Sequence, residues 1–181
     1  MRITGGILRG RQVKVPGGPI RPAMDRMRES VFAVLGDLTG ATFLDIFSGS
    51  GIIALEAASR GAVYIEAVEM DFLKREILLS NVKLSPVRIN CRFMSAELYV
   101  KRAKRPFDII FCDPPFPYKY KWELIQSIAT SPLMEEGSRL LLHCPREDFM
   151  ADKPEGNLIL EDFREYGRSV VNFFKFFRIK I

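Results

Sequence analysis

Thr42-Phe43-Leu44-Asp45-Ile46-Phe47-Ser48-Gly49-Ser50-Gly51 decides the architecture of this chain. Its first half is a short apolar run without polar alternation, the pattern of a strand covered on both faces, as in a parallel sheet. Its second half is a turn, where Gly49 and Gly51 let the backbone reverse tightly and approach a ligand closely. Ile52 to Arg60 then reads as a helix closed by Gly61. Strand, glycine turn and helix in that order predict one unit of an open α/β sheet, in which ligands bind at the carboxyl ends of the strands.

The alternation continues on both sides. Asp25 to Leu38 carries Met27, Val31, Val34, Leu35 and Leu38 at helical spacing, with Asp25 as its cap. Downstream, strands are expected over 63–68, 87–93, 107–112 and 139–143, and helices over 71–84, 95–103 and 122–131. Two extended runs, 158–163 and 169–179, meet at Gly167 without an intervening helix, so an antiparallel hairpin should close one edge of the sheet. Upstream, Ile3–Leu8 and Gln12–Val15 flank a glycine-rich turn and read as a short β-hairpin, with 16–22 as an extended linker. The expected fold is therefore α/β and Rossmann-like. It has a mostly parallel seven-stranded sheet with helices on both faces, an antiparallel C-terminal edge hairpin and a short N-terminal β-hairpin extension. A basic hairpin and linker over 1–22 precedes a single domain over 23–181.

A chain of 181 residues with 48% apolar and 27% charged side chains is long enough to bury its own core. Cys91, Cys112 and Cys144 lie far apart in apolar, strand-like runs, which favours small buried thiols in a reducing compartment over a disulfide or a metal site. Met1 to Val15 holds four basic residues and no apolar segment, and the longest apolar runs are strand-length. Neither a secretory leader nor a membrane span is expected, and the cytoplasm is the expected compartment. The net charge of +5 is concentrated. Residues 1–28 carry Arg2, Arg9, Arg11, Lys14, Arg21, Arg26 and Arg28 against Asp25 alone, a local excess of +6. Such a segment suits phosphates, although a solvated charged face has the same composition.

Three features fall at carboxyl ends of expected strands. Asp45 stands inside the first strand, just ahead of the glycine turn; a buried acid there suits a cationic ligand such as a sulfonium amino acid, and the full Gly-x-Gly-x-x-Gly of a dinucleotide site is missing. Glu69 ends the second strand, where an acid can accept both hydroxyls of a ribose. Asp113-Pro114-Pro115-Phe116 follows the fourth strand. Two prolines remove two backbone donors and leave carbonyls and a carboxylate as acceptors. An acceptor-only cluster suits an –NH₂ group, whose lone pair it can localise, and Phe116 offers a flat face on which a base can stack. His143, the single histidine, lies in the fifth strand, where a packed and satisfied ring is expected rather than a catalytic base. Phe173-Phe174-Lys175-Phe176-Phe177 reads as core of a sheet strand.

Asp45 to Gly51, Glu69 and Asp113 to Phe116 resemble the cofactor and catalytic motifs of class I methyltransferases that modify amino groups. Arg2-Ile3-Thr4-Gly5-Gly6, Arg9-Gly10-Arg11, Arg21-Pro22 and Asp25-Arg26-x-Arg28-Glu29-Ser30-x-Phe32 narrow this to the bacterial RsmD-type enzymes, which methylate N2 of a guanine in 16S ribosomal RNA. The resemblance runs from Arg2 to about Phe116. It implies S-adenosyl-L-methionine as cofactor and no metal. Asp45, Ser48, Gly49 and Gly51 would line its methionine part, Glu69 would bind its ribose, and Phe47 and Met70 would also contact the cofactor. Ser95 and Ala96 stand where an acid commonly meets the adenine, so that contact departs from the pattern. Asp113, Pro114, Pro115 and Phe116 would hold the guanine. Phe116 stands where Tyr is more frequent. Arg2, Arg9, Arg11, Arg21, Arg26 and Arg28 would engage RNA, with a cofactor-carboxylate contact open to the last three. The implied partner is 16S ribosomal RNA within the small subunit or its assembly intermediate, with a monomer as the implied state.

Rival readings share parts of this pattern. A DNA or RNA adenine-N6 methyltransferase uses the same Asp-Pro-Pro-aromatic motif but usually carries an added recognition domain. A glutamine methyltransferase would show Asn at position 113. A non-catalytic RNA-binding module on a degenerate methyltransferase fold would not need Glu69 and Asp113 intact. A nicotinamide dehydrogenase would need the third glycine.

Overall fold

The computed structural model describes residues 1–15, 22–149 and 156–178. The strand of the opening decapeptide, β1 (Thr42–Ile46), is central, and β4 (Ile109–Cys112) and β2 (Tyr64–Val68) lie parallel on either side of it. β3 (Ile89–Arg92) extends the parallel set beyond β2, and β5 (Arg139–Pro145) extends it beyond β4. The last two strands, β6 (Leu158–Tyr166) and β7 (Ser169–Phe176), form an antiparallel hairpin whose β7 inserts against β5. The seven strands run in the order β3-β2-β1-β4-β5-β7-β6. The chain order reverses between β1 and β4, so a crevice opens there at the strands' carboxyl ends.

α1 (Pro22–Leu35), α2 (Ile52–Ser59) and α3 (Arg75–Asn81) cover one face; α4 (Ala96–Lys101) and α5 (Lys121–Ala129) cover the other. Period-two alternation divides each strand between two cores. Phe43, Ile109, Phe111, Leu141 and Phe173 face α1 and α2. Leu44, Ile46, Ile110, Leu142 and Phe174 face α4 and α5. The phenylalanine run is thus strand core, as its sequence implied.

Most boundaries shift by a few residues from the sequence expectation, and two helices change more. α1 starts at Pro22, a residue suited to a helix's first turn, and stops at Leu35 because Gly36 turns left-handed at φ 76°. Asp25 lies inside the first turn and pairs with Arg28. The expected helix over 71–84 is three pieces, 3₁₀ turns at 72–74 and 82–84 flanking α3.

The N-terminal hairpin is reduced to one antiparallel bridge, Arg2 with Gln12, around a tight turn. What holds it is α2. Thr4 N–H donates to Glu56 Oε1 at 2.8 Å, Leu8 N–H to Ser59 Oγ at 2.8 Å, and Ile7 N–H to the Ser59 carbonyl at 2.9 Å. Gly6 is obligatory here: at φ 74°, a Cβ would sit 1.9 Å from the Ser59 carbonyl oxygen. Ile3 and Val13 are buried in the α1–α2 core, so the segment is packed onto the domain. The expected linker over 16–22 falls outside the described residues except at Pro22.

Arg28 is the side chain whose environment departs most from expectation. It is 1% exposed and pairs with Asp25 at 2.6 Å and Glu56 at 3.2 Å, while donating to the Arg2 carbonyl at 2.9 Å. Glu56 is fully buried and also pairs with Arg60. A guanidinium so enclosed is spent on tying α1, α2 and the N-terminal segment together. It offers nothing to a phosphate or a cofactor carboxylate.

Candidate active site

The glycine turn after β1 is built around Asp45. This carboxylate is 1% exposed and accepts from Ser48 Oγ at 2.6 Å and from Ala54 N–H, in the first turn of α2, at 3.2 Å. Burial pushes its pKa up to about 7; the Asp113 and Glu69 carboxylates push in the same direction, while the two hydrogen bonds pull down. Three acids therefore converge on one region. Gly51 caps α2 in the left-handed region at φ 81°, and a Cβ there would lie 2.7 Å from Leu78 Cδ1, so no other residue fits without repacking α3. Phe47 is the one non-glycine residue with positive φ, 66°, among those described. This costs about 1–3 kcal/mol and places its ring edge-on to Tyr118, 5.4 Å between centroids.

Glu69, at the end of β2, bridges two loops. One oxygen accepts from Gly49 N–H at 2.7 Å and the other from Asp71 N–H at 2.8 Å. Each oxygen keeps a further lone pair. This acid thus fixes the glycine turn and still lines the cavity. Asp71, not Glu69, caps the following turn, accepting from Leu73 N–H at 2.9 Å.

Asp113 leaves the end of β4 with its N–H on the Ile46 carbonyl, so the Asp-Pro-Pro-Phe loop starts beside the glycine turn. The loop is held from behind by Lys121, the first residue of α5. Its buried ammonium donates to the carbonyls of Phe116 at 2.9 Å and Tyr118 at 2.5 Å and pairs with Asp148 at 2.8 Å. All three ammonium donors are thereby engaged. Phe116 is 42% exposed, its ring available as a stacking face, with its edge contact made to His143 at 5.7 Å.

These groups meet in one open cavity of about 510 Å³, within the range of small-molecule and cofactor sites. Phe47, Glu69 and Asp113 to Phe116 form one wall. Met24 and Met27 of α1, Lys74, His143, and the β6–β7 turn from Tyr166 to Ser169 form the rest; the Lys74 ammonium lies 3.9 Å from Glu69 Oε1. Tyr166 is fixed across the cavity by donating its hydroxyl proton to Ser30 Oγ on α1 at 2.7 Å.

Asp45 and Ser48 stand behind the wall, and Gly49 is joined to it through Glu69. Met70, 64% exposed, is outside the cavity lining. So are Ser95 and Ala96: Ser95 caps α4 by accepting from Leu98 N–H at 3.2 Å, and Ala96 is buried against the α4–α5 core. Of the expected RNA contacts, Arg2, Arg9, Arg11 and Arg26 are exposed, Arg28 is enclosed, and Arg21 lies outside the described residues. Sequence reasoning missed His143, Lys121 and the β6–β7 turn. Parallel pairing of β4 with β5 would have signalled the first, since it aligns the two carboxyl ends. No group of three or more His, Cys, Asp or Glu side chains among the described residues is arranged to hold a metal. No described helix is long and apolar enough to cross a membrane.

Strand order, the acid-flanked glycine turn and the acceptor loop after β4 together define a Rossmann-like class I methyltransferase domain. The chain belongs to the family described as Conserved hypothetical protein 95, matched over residues 1–175. Among its relatives, the Putative rRNA methyltransferase YlbH of Bacillus subtilis is 30% identical over 97% of this chain and 98% of its own length. The Ribosomal RNA small subunit methyltransferase D of Escherichia coli is 39% identical over 64% of this chain; the match spans 60% of that relative's length. A solved structure described as a putative methyltransferase, yhhF from Escherichia coli, superposes with a TM-score of 0.85 at 29% identity, covering 97% of each chain.

Proposed function

We propose that the protein transfers a methyl group from S-adenosyl-L-methionine to the exocyclic N2 of a guanine in 16S ribosomal RNA. It would act in the cytoplasm, as a monomer, on the small subunit or an assembly intermediate. The observation that carries this reading is Asp113 opening an acceptor-only loop in the same cavity as Glu69. The relatives named for ribosomal RNA methylation supply the substrate class.

The residues fit the cofactor. Asp45, Glu69 and Asp113 lie close enough together that the latter two add to the effect of burial on the Asp45 carboxyl, and a sulfonium is a cation that carboxylates attract. Glu69 retains acceptor capacity for a ribose diol. The bound cofactor supplies a methyl carbon on an activated leaving group, so the protein's task is mainly positioning. Asp113 and the Pro114 carbonyl accept from the amine N–H groups and localise its lone pair. Phe116 stacks on the base, which must leave its helix or come from an unpaired loop. A carboxylate flanked by carbonyls complements guanine, whose N1–H and N2 amine are adjacent donors. Adenine presents an acceptor beside its amine. The exposed Arg2, Arg9, Arg11 and Arg26 would meet phosphates.

The test is transfer of labelled methyl to unmethylated small subunits, naked ribosomal RNA and DNA in parallel, followed by nucleoside analysis. The expected product is N2-methylguanosine in ribosomal RNA. N6-methyladenine in RNA or DNA, or no transfer despite cofactor binding, overturns the substrate assignment.

A further inference from the structure

His143 is the single histidine of the chain. β4 and β5 run parallel in a register that pairs Cys112 with Leu142, so the next residues, Asp113 and His143, stand side by side at the carboxyl ends. Nδ1 of His143 lies 2.8 Å from Oδ1 of Asp113. The ring is almost enclosed, its side chain 7% exposed against 26% for Asp113. Nε2 is buried and has no hydrogen-bond partner among the described residues. One tautomer fits these surroundings. With the proton on Nδ1, the ring donates to the carboxylate and leaves only a lone pair on the enclosed Nε2. The other tautomer would bury an unpaired N–H and set a lone pair against the carboxylate.

The consequence falls on Asp113. The last torsion of an aspartate is broad, so a carboxylate without a partner samples many planes. Here Oδ1 is held by His143, whereas Oδ2 accepts no hydrogen bond from the described residues. We propose that His143 is a positioning residue for methyl transfer, whose Nδ1–H fixes the plane of the Asp113 carboxylate and so presents Oδ2 to the target amine. This rests on Asp113 being the group that grips that amine. Phe116 makes a T-shaped contact with the same ring, 5.7 Å between centroids, so one side chain touches both the acceptor and the stacking face.

Two measurements test the proposal. The first needs no RNA: with one histidine in the chain, ¹⁵N spectra of the imidazole report its tautomer without assignment. The expected form is Nδ1–H in the wild type, converting to Nε2–H in Asp113→Ala. Nε2–H in the wild type would overturn the pairing whatever the substrate is. The Nδ1–H form together with failure to methylate any ribosomal RNA would instead count against the proposed function and leave the pair standing. The second compares three replacements. Asn places an amide donor near the Nδ1 position, Gln places one near Nε2, and Phe supplies none. The expected order of kcat is His143→Asn near wild type, with His143→Gln and His143→Phe reduced by about 10²-fold, the cost of misplacing a reacting group. KM for the cofactor stays unchanged throughout, and melting temperatures identify any variant that fails to fold. Equal kcat losses in all three variants, or wild-type kcat in His143→Phe, overturn the positioning role.

Discussion

At the scale of single residues, the site is organised by where carboxylates can and cannot meet water. Asp45 pays for its position: burial lifts it to about 7, far above an ordinary aspartate. The folded chain therefore binds a proton that the unfolded chain releases from about pH 4 upward. The stability this contributes is fully present below the unfolded pKa and is lost as pH rises through about 7. Cofactor binding runs the other way, because the ionised form attracts a sulfonium. Affinity for S-adenosylmethionine should rise as pH passes through about 7, and affinity for S-adenosylhomocysteine, a neutral thioether, should not. Calorimetric titrations of both ligands across that range check this; Asp45→Asn should remove the difference between them. Asp45, Glu69 and Asp113 were all legible in the sequence, because each ends or precedes the end of an apolar run. His143 was not. A histidine in a strand is usually packing, and its meaning here comes from the strand beside it, which one-dimensional spacing does not contain.

At the scale of elements, the alternation of strand and helix was readable because hydrophobic period reports burial directly. Boundaries were less so. The helix expected over 71–84 is broken at both ends into 3₁₀ turns, one of them started by Asp71 capping Leu73. The role of Arg28 was also hidden, since a basic residue in a basic segment looks like a phosphate ligand until its partner, Glu56 on α2, is placed 3.2 Å away. An enclosed pair is costly to break because the remaining charge has no solvent. Arg28→Ala should destabilise the fold by about 3–5 kcal/mol. At roughly 2–4 °C per kcal/mol for a chain of this size, thermal melts should resolve the shift easily. Replacing Glu56 by Gln in the same background should recover part of it. A wild-type melting temperature in Arg28→Ala would show that the cluster contributes nothing.

At the scale of the whole molecule, charge and cavity are arranged on one domain. The exposed Arg2, Arg9 and Arg11 belong to a segment stapled to α2, and the exposed Arg26 to α1, the helix that supplies Met24 and Met27 to the cavity. Phosphates engaged there would release counterions, so binding should weaken with salt. Removing the exposed Arg9 or Arg11 should lower the slope of log affinity for ribosomal RNA against log salt by about 1 each, while cofactor affinity is unchanged. An unaltered slope would place the RNA elsewhere.

All of this depends on the cavity being a single site in which cofactor and amine meet at Asp113. The most direct measurement is a single-turnover methyl transfer to unmethylated small subunits by Asp113→Ala, with cofactor affinity determined on the same preparation. The expected result is transfer slowed by roughly 10²–10³-fold, the scale of losing one transition-state contact, with cofactor affinity retained. Wild-type turnover by the variant would contradict the account.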